Sequence, residues 1–94
     1  MNEQELEALL EEVKEFLNFT WDDPGKEKKL KSFILSSNQY LCEVAGEESI
    51  DFTKDYLAKD LLLNRVLYMD SQALDDFASN YNGMLLELKI KYAK

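Results

Sequence analysis

Histidine is absent from this 94-residue chain. That removes the commonest general base and the commonest metal ligand. The single cysteine, Cys42, excludes an internal disulfide framework and points to a reducing compartment. With no histidine and no Cys-x-x-Cys spacing beside it, Cys42 does not read as a reactive thiol. One proline and three glycines leave few helix breakers, which favours long helices. No apolar stretch approaches the ~20 residues that cross a bilayer. Residues 1–20 lack the basic start and apolar centre of a secretory leader, so the expectation is a chain that spans no membrane. Gly-rich phosphate loops, zinc spacings and Ser-His-Asp or Cys-His sets are missing as well. The expectation is therefore not an enzyme, with no catalytic residues, no cofactor and no metal.

Basic residues are outnumbered, 11 against 19 acidic, for a net charge of −8. A reader of duplex DNA needs a basic face, so sequence-specific binding is disfavoured. An acidic surface suits a basic partner, a channel along which DNA slides without sticking, or simple solubility. The length allows one domain, with about 60–65% of the unfolded chain's surface buried. Stability of its own should be about 5–8 kcal/mol, to which association could add.

What is present is helical periodicity. Leu6, Leu9, Leu10, Val13, Phe16 and Leu17 follow the i, i+3, i+4, i+7 pattern and predict a helix over about 3–18. Glu7, Glu11 and Glu15 stack on its other face, as a solvated surface or one held for a basic partner. Asp23-Pro24 predicts an N-cap and first helical position, and Gly46 a left-handed C-cap, for a second helix over 24–45. Phe19 and Trp21 should close the corner between the two. Lys26, Lys28, Lys29 and Lys31 crowd the start of the second helix, against its dipole. They read either as salt bridges to the first helix or as a phosphate-contacting patch. Leu35 and Cys42, seven apart, form a smaller strip away from the main stripe, facing another element or another subunit. Glu47, Glu48 and Asp51 fit no calcium loop and read as solvated acid.

The third helix is expected from Thr53 or Asp55 to Tyr68–Asp70. It is apolar all round, from Tyr56 and Leu57 to Tyr68 and Met69, and so should be buried on every side. Arg65 within it needs a carboxylate or carbonyl, with Asp60 or a first-helix glutamate as candidates. Ser71 can cap a fourth helix over about 72–81, with Ala73, Leu74, Phe77 and Tyr81 inward. From Met84 the chain should be helical again, but Leu86, Leu88, Ile90 and Tyr92 also alternate like a strand that could add to a neighbour's edge. The fold expected is all-α: four to five helices around a central buried helix at about 54–70, with a tail either helical or extended. The candidate core is Leu10, Val13, Leu17, Trp21, Leu30, Ile34, Leu41, Leu61, Leu62, Val66 and Phe77. The candidate interface is Leu35, Cys42, Leu86, Leu88, Ile90 and Tyr92.

Four segments, taken in order, resemble the small head–tail connector (adaptor) family of tailed bacteriophages and prophages. They are Leu9–Leu17 with Thr20-Trp21-Asp22-Asp23; Lys29-Leu30 through Ile34 to Tyr40-Leu41 and Ala45-Gly46; Asp60–Tyr68 with Ala73-Leu74 and Phe77; and Asn80-Tyr81 with the Leu88–Tyr92 tail. The likeness covers about residues 8–93. It implies a virion structural protein that forms a ring, about twelvefold, with head-to-tail contacts. That ring would sit under the portal protein at the head–tail junction, extend the DNA channel and receive the next connector or tail protein. Assembly would take place in the host cytoplasm, and DNA would pass without sequence-specific binding. The competing expectation is a small acidic cytosolic regulator that mimics DNA charge through Glu7, Glu11 and Glu15.

Overall fold

The computed structural model describes residues 1–19 and 22–93, and every regular element among them is helical. α1 is Glu3–Phe16, α2 Pro24–Ala45, α3 Tyr56–Asp70, α4 Phe77–Asn80 and α5 Asn82–Lys91. A 3-10 turn at Leu74–Asp76 leads into α4. Trp21 lies outside the described residues.

Each of the three long helices starts on a side-chain cap. Asn2 accepts from the Glu5 N–H at 2.8 Å, Asp23 from the Lys26 N–H at 3.2 Å, and Asp55 from the Ala58 N–H at 3.0 Å. Their ends are alike too. The residue after the C-cap turns left-handed at Asn18 (φ 56°) and Gln72 (φ 58°), and the C-cap of α2 itself does so at Gly46 (φ 72°). In each case the next amide reaches back five residues: Phe19 to the Lys14 carbonyl, Glu47 to Cys42 and Ala73 to Tyr68, at 2.8–3.0 Å. Only glycine takes that conformation without strain; Asn and above all Gln carry a cost.

α2 and α3 form the central pair, and α1 and α5 each pack on both of them. One continuous apolar core results, containing Leu10, Val13, Leu30, Ile34, Leu41, Leu61, Leu62, Val66, Phe77 and Leu88. Leu17, placed in the core by its spacing, is only half-buried because it is the C-cap of α1, where the chain leaves the bundle. α3 is not enclosed on every side either. Ala58, Leu61, Leu62, Arg65 and Val66 are buried, but the stripe Tyr56, Asp60, Leu63, Leu67 stays open to differing degrees, with Tyr56 69% exposed. A chain this short has helix enough to cover α3 on three sides.

The expected helix over 72–81 breaks up. Ser71 is the C-cap of α3, not an N-cap, and neither the 3-10 turn nor α4 has a side-chain cap. Tertiary packing holds this stretch. Phe77 stacks on Tyr81 with ring centroids 5.0 Å apart and meets Tyr68 and Tyr40 edge-on at 5.8 and 6.2 Å. The Tyr81 hydroxyl donates to Asn64 at 2.8 Å, and the Asn80 amide donates to the Tyr68 hydroxyl at 3.0 Å.

Arg65, the only arginine, finds neither Asp60 nor a glutamate of α1. Asp60 lies on the open stripe, whereas Arg65 points back to α2. Its Nη1 donates to Ser37 Oγ at 3.0 Å and to Ser36 Oγ at 3.4 Å, and its guanidinium lies 4.5 Å from the centre of the Tyr40 ring. Buried Nε has no hydrogen-bond partner among the described residues. Burial pushes the guanidinium's pKa below its ordinary value, and Tyr40 acts in the opposite sense. A cation desolvated against neutral groups alone is costly. Arg65→Met should therefore raise unfolding stability, by about 1 kcal/mol or more, in urea melts. Ser37 would keep its contact to Met69 Sδ at 3.7 Å. A loss of more than about 1 kcal/mol would mean that the hydroxyl and ring contacts outweigh desolvation.

Candidate functional site

Residues 86–92 are compatible with two periods, and the structure adopts the helical one through Lys91. That choice divides the tail. At 100° per residue Leu85 and Leu88 share the inner side of α5, and Leu86 and Ile90 project from the opposite side. Leu88 is fully buried, so it belongs to the core and not to an interface of strand type. Tyr92 also turns inward and is half-buried. Leu86 and Ile90 remain 56% and 64% exposed.

The Leu35–Cys42 strip divides as well. Leu35 is exposed among Ser32, Ser36 and Gln39, whereas Cys42 is buried in the main core, with its thiol 3.7 Å from Asn38 Oδ1. The 46–55 connection accounts for this by folding back and burying Ile50 and Phe52. Burial pushes the Cys42 thiol's pKa up, which makes it a poor nucleophile. A lone exposed leucine such as Leu35 is ordinary; the two-residue ridge on α5 is the larger apolar feature.

Two of the four lysines at the start of α2, Lys26 and Lys31, staple the bundle. Lys26 pairs with Asp70 of α3, and Lys31 reaches Glu7 at 2.5 Å and Glu3 at 4.0 Å on α1. In return Lys14 reaches Glu27 at 3.6 Å and Glu11 at 3.9 Å. The hydrogen bond from Lys31 holds the Glu7 carboxyl below its usual pKa. Two of the three stacked glutamates thus face lysines, and surface pairs of this kind contribute at most about 1 kcal/mol each.

A polar node ties α5 to the start of α3. Asp55 is buried; besides capping Ala58 it takes the Tyr92 hydroxyl at 2.5 Å and Lys91 Nζ at 3.1 Å. Burial by itself raises the Asp55 pKa, but Tyr92, the Ala58 amide and Lys91 together outweigh it and hold the carboxyl below its usual range. The same hydrogen bond, with burial second, pushes Tyr92 up to about 12.

A groove of about 320 Å³ runs between α1 and the segment leading into α3. Glu5, Ala8, Leu9 and Glu12 form one wall, and Phe52, Thr53, Tyr56 and Lys59 the other. Lys59 bonds Glu12 at 3.1 Å and lies 5.4 Å from the centre of the Tyr56 ring. An all-round apolar pattern places Tyr56 on a wholly enclosed helix and so hides this groove. The one signal available was the exposed edge that an N-capped helix start gives to its first residue. Among the described residues no cluster of acidic residues or cysteine is arranged to hold a metal, and no helix is long and apolar enough to cross a membrane. No protein-family model, curated protein or solved structure matches the chain.

Proposed function

We propose that this chain is a structural assembly subunit: a head–tail connector of a tailed bacteriophage or prophage. Copies form a ring, about twelvefold, under the portal protein. The ring extends the DNA channel and docks the next connector or tail protein. Its place is the virion head–tail junction, reached by assembly in the host cytoplasm. The observation that carries this reading is the Leu86–Ile90 ridge, set on the side of α5 opposite the core of an otherwise well-packed small bundle. Support comes also from the order and spacing of the four sequence segments and from the all-α fold. The excess of acid, 19 residues to 11, suits a lumen that repels phosphate.

The acidic-regulator alternative has less support, because Lys31 and Lys14 sit against Glu7 and Glu11. It predicts tight, salt-sensitive capture of a basic protein.

The connector reading is tested by gradient sedimentation of the purified protein with heads that carry the portal of the same genome. The expected result is co-sedimentation with portal-containing heads, absent for heads lacking portal and for a Leu86→Asp/Ile90→Asp variant of unchanged helix content. Protein that stays at the top of the gradient with portal-containing heads would overturn it.

A further inference from the structure

Five lysines of the bundle pair with a carboxylate; Arg65, more buried than any of them, does not. Only 9% of its surface is exposed. A cation buried beside neutral groups alone is costly, and an anion brought to it offsets that cost.

The donors left over point one way. Ser37 takes Arg65 Nη1 at 3.0 Å and passes its own hydroxyl hydrogen to Met69 Sδ. With the Tyr40 ring 4.5 Å away, this fixes the guanidinium. Nε is sealed inside. Nη2 makes no hydrogen bond to a described residue and, unlike Nε, reaches the surface. On the other flank of Nη1, exposed Ser36 accepts at 3.4 Å, and its own O–H has no acceptor among the described residues. Two donors thus open outward at the α2–α3 seam, beside a buried positive charge.

Their arrangement selects a class of ligand. A carboxylate carries two oxygens on one carbon, a fork that a guanidinium N–H and a neighbouring hydroxyl can both address. Helical spacing puts Lys29 two turns before Ser36 and Glu43 two turns after it, on the same side of α2. Their charges offset, which leaves the single positive charge of Arg65. A monoanion neutralises it. A phosphate dianion would add a further negative charge to a chain already at −8.

We propose that the Arg65–Ser36 edge of the α2–α3 seam binds a carboxylate, with one oxygen on Arg65 Nη2 and the other on the Ser36 hydroxyl. A free carboxylic acid and an acidic side chain presented by another protein carry the same group. The site is built from one copy of the chain and is independent of the connector reading.

The test compares sodium acetate with sodium chloride of equal ionic strength, by NMR and thermal melts of the full chain. Arg65 is the only arginine, so its Nε–H resonance is unambiguous. Acetate should shift that resonance and the Ser36 amide saturably and raise the melting temperature; chloride should do neither. Ser36→Ala, an exposed position, should weaken binding about tenfold. Arg65→Met, which removes the buried charge without removing the packing, should abolish the rise in melting temperature. A short helical peptide with one glutamate that binds more tightly than acetate, and loses binding with glutamine in its place, assigns the site to a partner's side chain; affinity equal to acetate assigns it to a free acid. Shifts that never saturate, that chloride reproduces, or a melting-temperature rise that survives Arg65→Met would overturn the inference. So would a stronger response to phosphate than to acetate, which would remove the case for a monoanion.

Discussion

Leu88→Ala should cost about 3 kcal/mol, within the 2–5 kcal/mol range of buried leucine truncations. For a domain of this size that lowers the melting temperature by at least ~10 °C. The reason is geometric. Leu88 has no exposed surface and fills the seam where α5 meets α2 and α3, so truncation leaves a hole that the bundle cannot close by a shift of one surface side chain. Leu86→Ala, two residues away on the outer face, should change stability by no more than about 0.5 kcal/mol. Were residues 86–92 extended, the two residues would lie on one face and the two substitutions would behave alike. Urea melts followed by circular dichroism separate the cases. Equal costs, or a Leu86 cost above that of Leu88, would contradict the helical register of α5.

Asp55→Ala should cost about 2 kcal/mol. Loss of an N-cap accounts for roughly 1 kcal/mol, and the half-buried Tyr92 hydroxyl and Lys91 lose their acceptor for the remainder. Hydrogen exchange should rise at the last turn of α5, some 35 residues away in sequence, as well as at the start of α3. The pH dependence carries a signature. Tyr92 has a folded-state pKa pushed up to about 12, against about 10 in the unfolded chain. Its contribution is therefore fully present below pH ~10 and is lost as pH rises through ~12, when a phenolate would face the Asp55 carboxylate. Asp55, held below its usual range, contributes above that range and loses its contribution as pH falls through its folded-state pKa. Tyr92→Phe should flatten the alkaline arm relative to the parent protein, and Asp55→Ala should flatten both arms. An alkaline arm unchanged by Tyr92→Phe would show that the hydroxyl is bonded to water.

Much of this fold was written locally. Asp23-Pro24 and Gly46 mark both ends of α2 because capping chemistry depends on the residues themselves. The long apolar stripes of α1 and α2 likewise need only helical spacing. Features that depend on the rotation of one helix against another were not legible. Arg65 could have turned towards Asp60 or towards α2, and only the packed bundle selects Ser37 and Tyr40. Cys42 looked like part of an outer strip until the 46–55 connection folded back over that side of α2. The α4 turn, held by the rings of Tyr40 and Tyr68 from α2 and α3 as well as by its own Tyr81, has no side-chain cap to mark it. The candidate interface was half legible for the same reason. Leu35, Leu86 and Ile90 are exposed, and Cys42, Leu88 and Tyr92 are drawn inward by contacts distant in sequence.

In the connector proposal the exposed Leu86–Ile90 pair on α5 is contact surface for copies that come together on the portal. Negative-stain electron microscopy of the protein mixed with the portal of its own genome tests this most directly. The prediction is class averages with an added ring coaxial with the portal, whose subunits are the size of this chain, and no such ring with the Leu86→Asp/Ile90→Asp variant. Portal particles of unaltered outline in the presence of excess well-folded protein would contradict it.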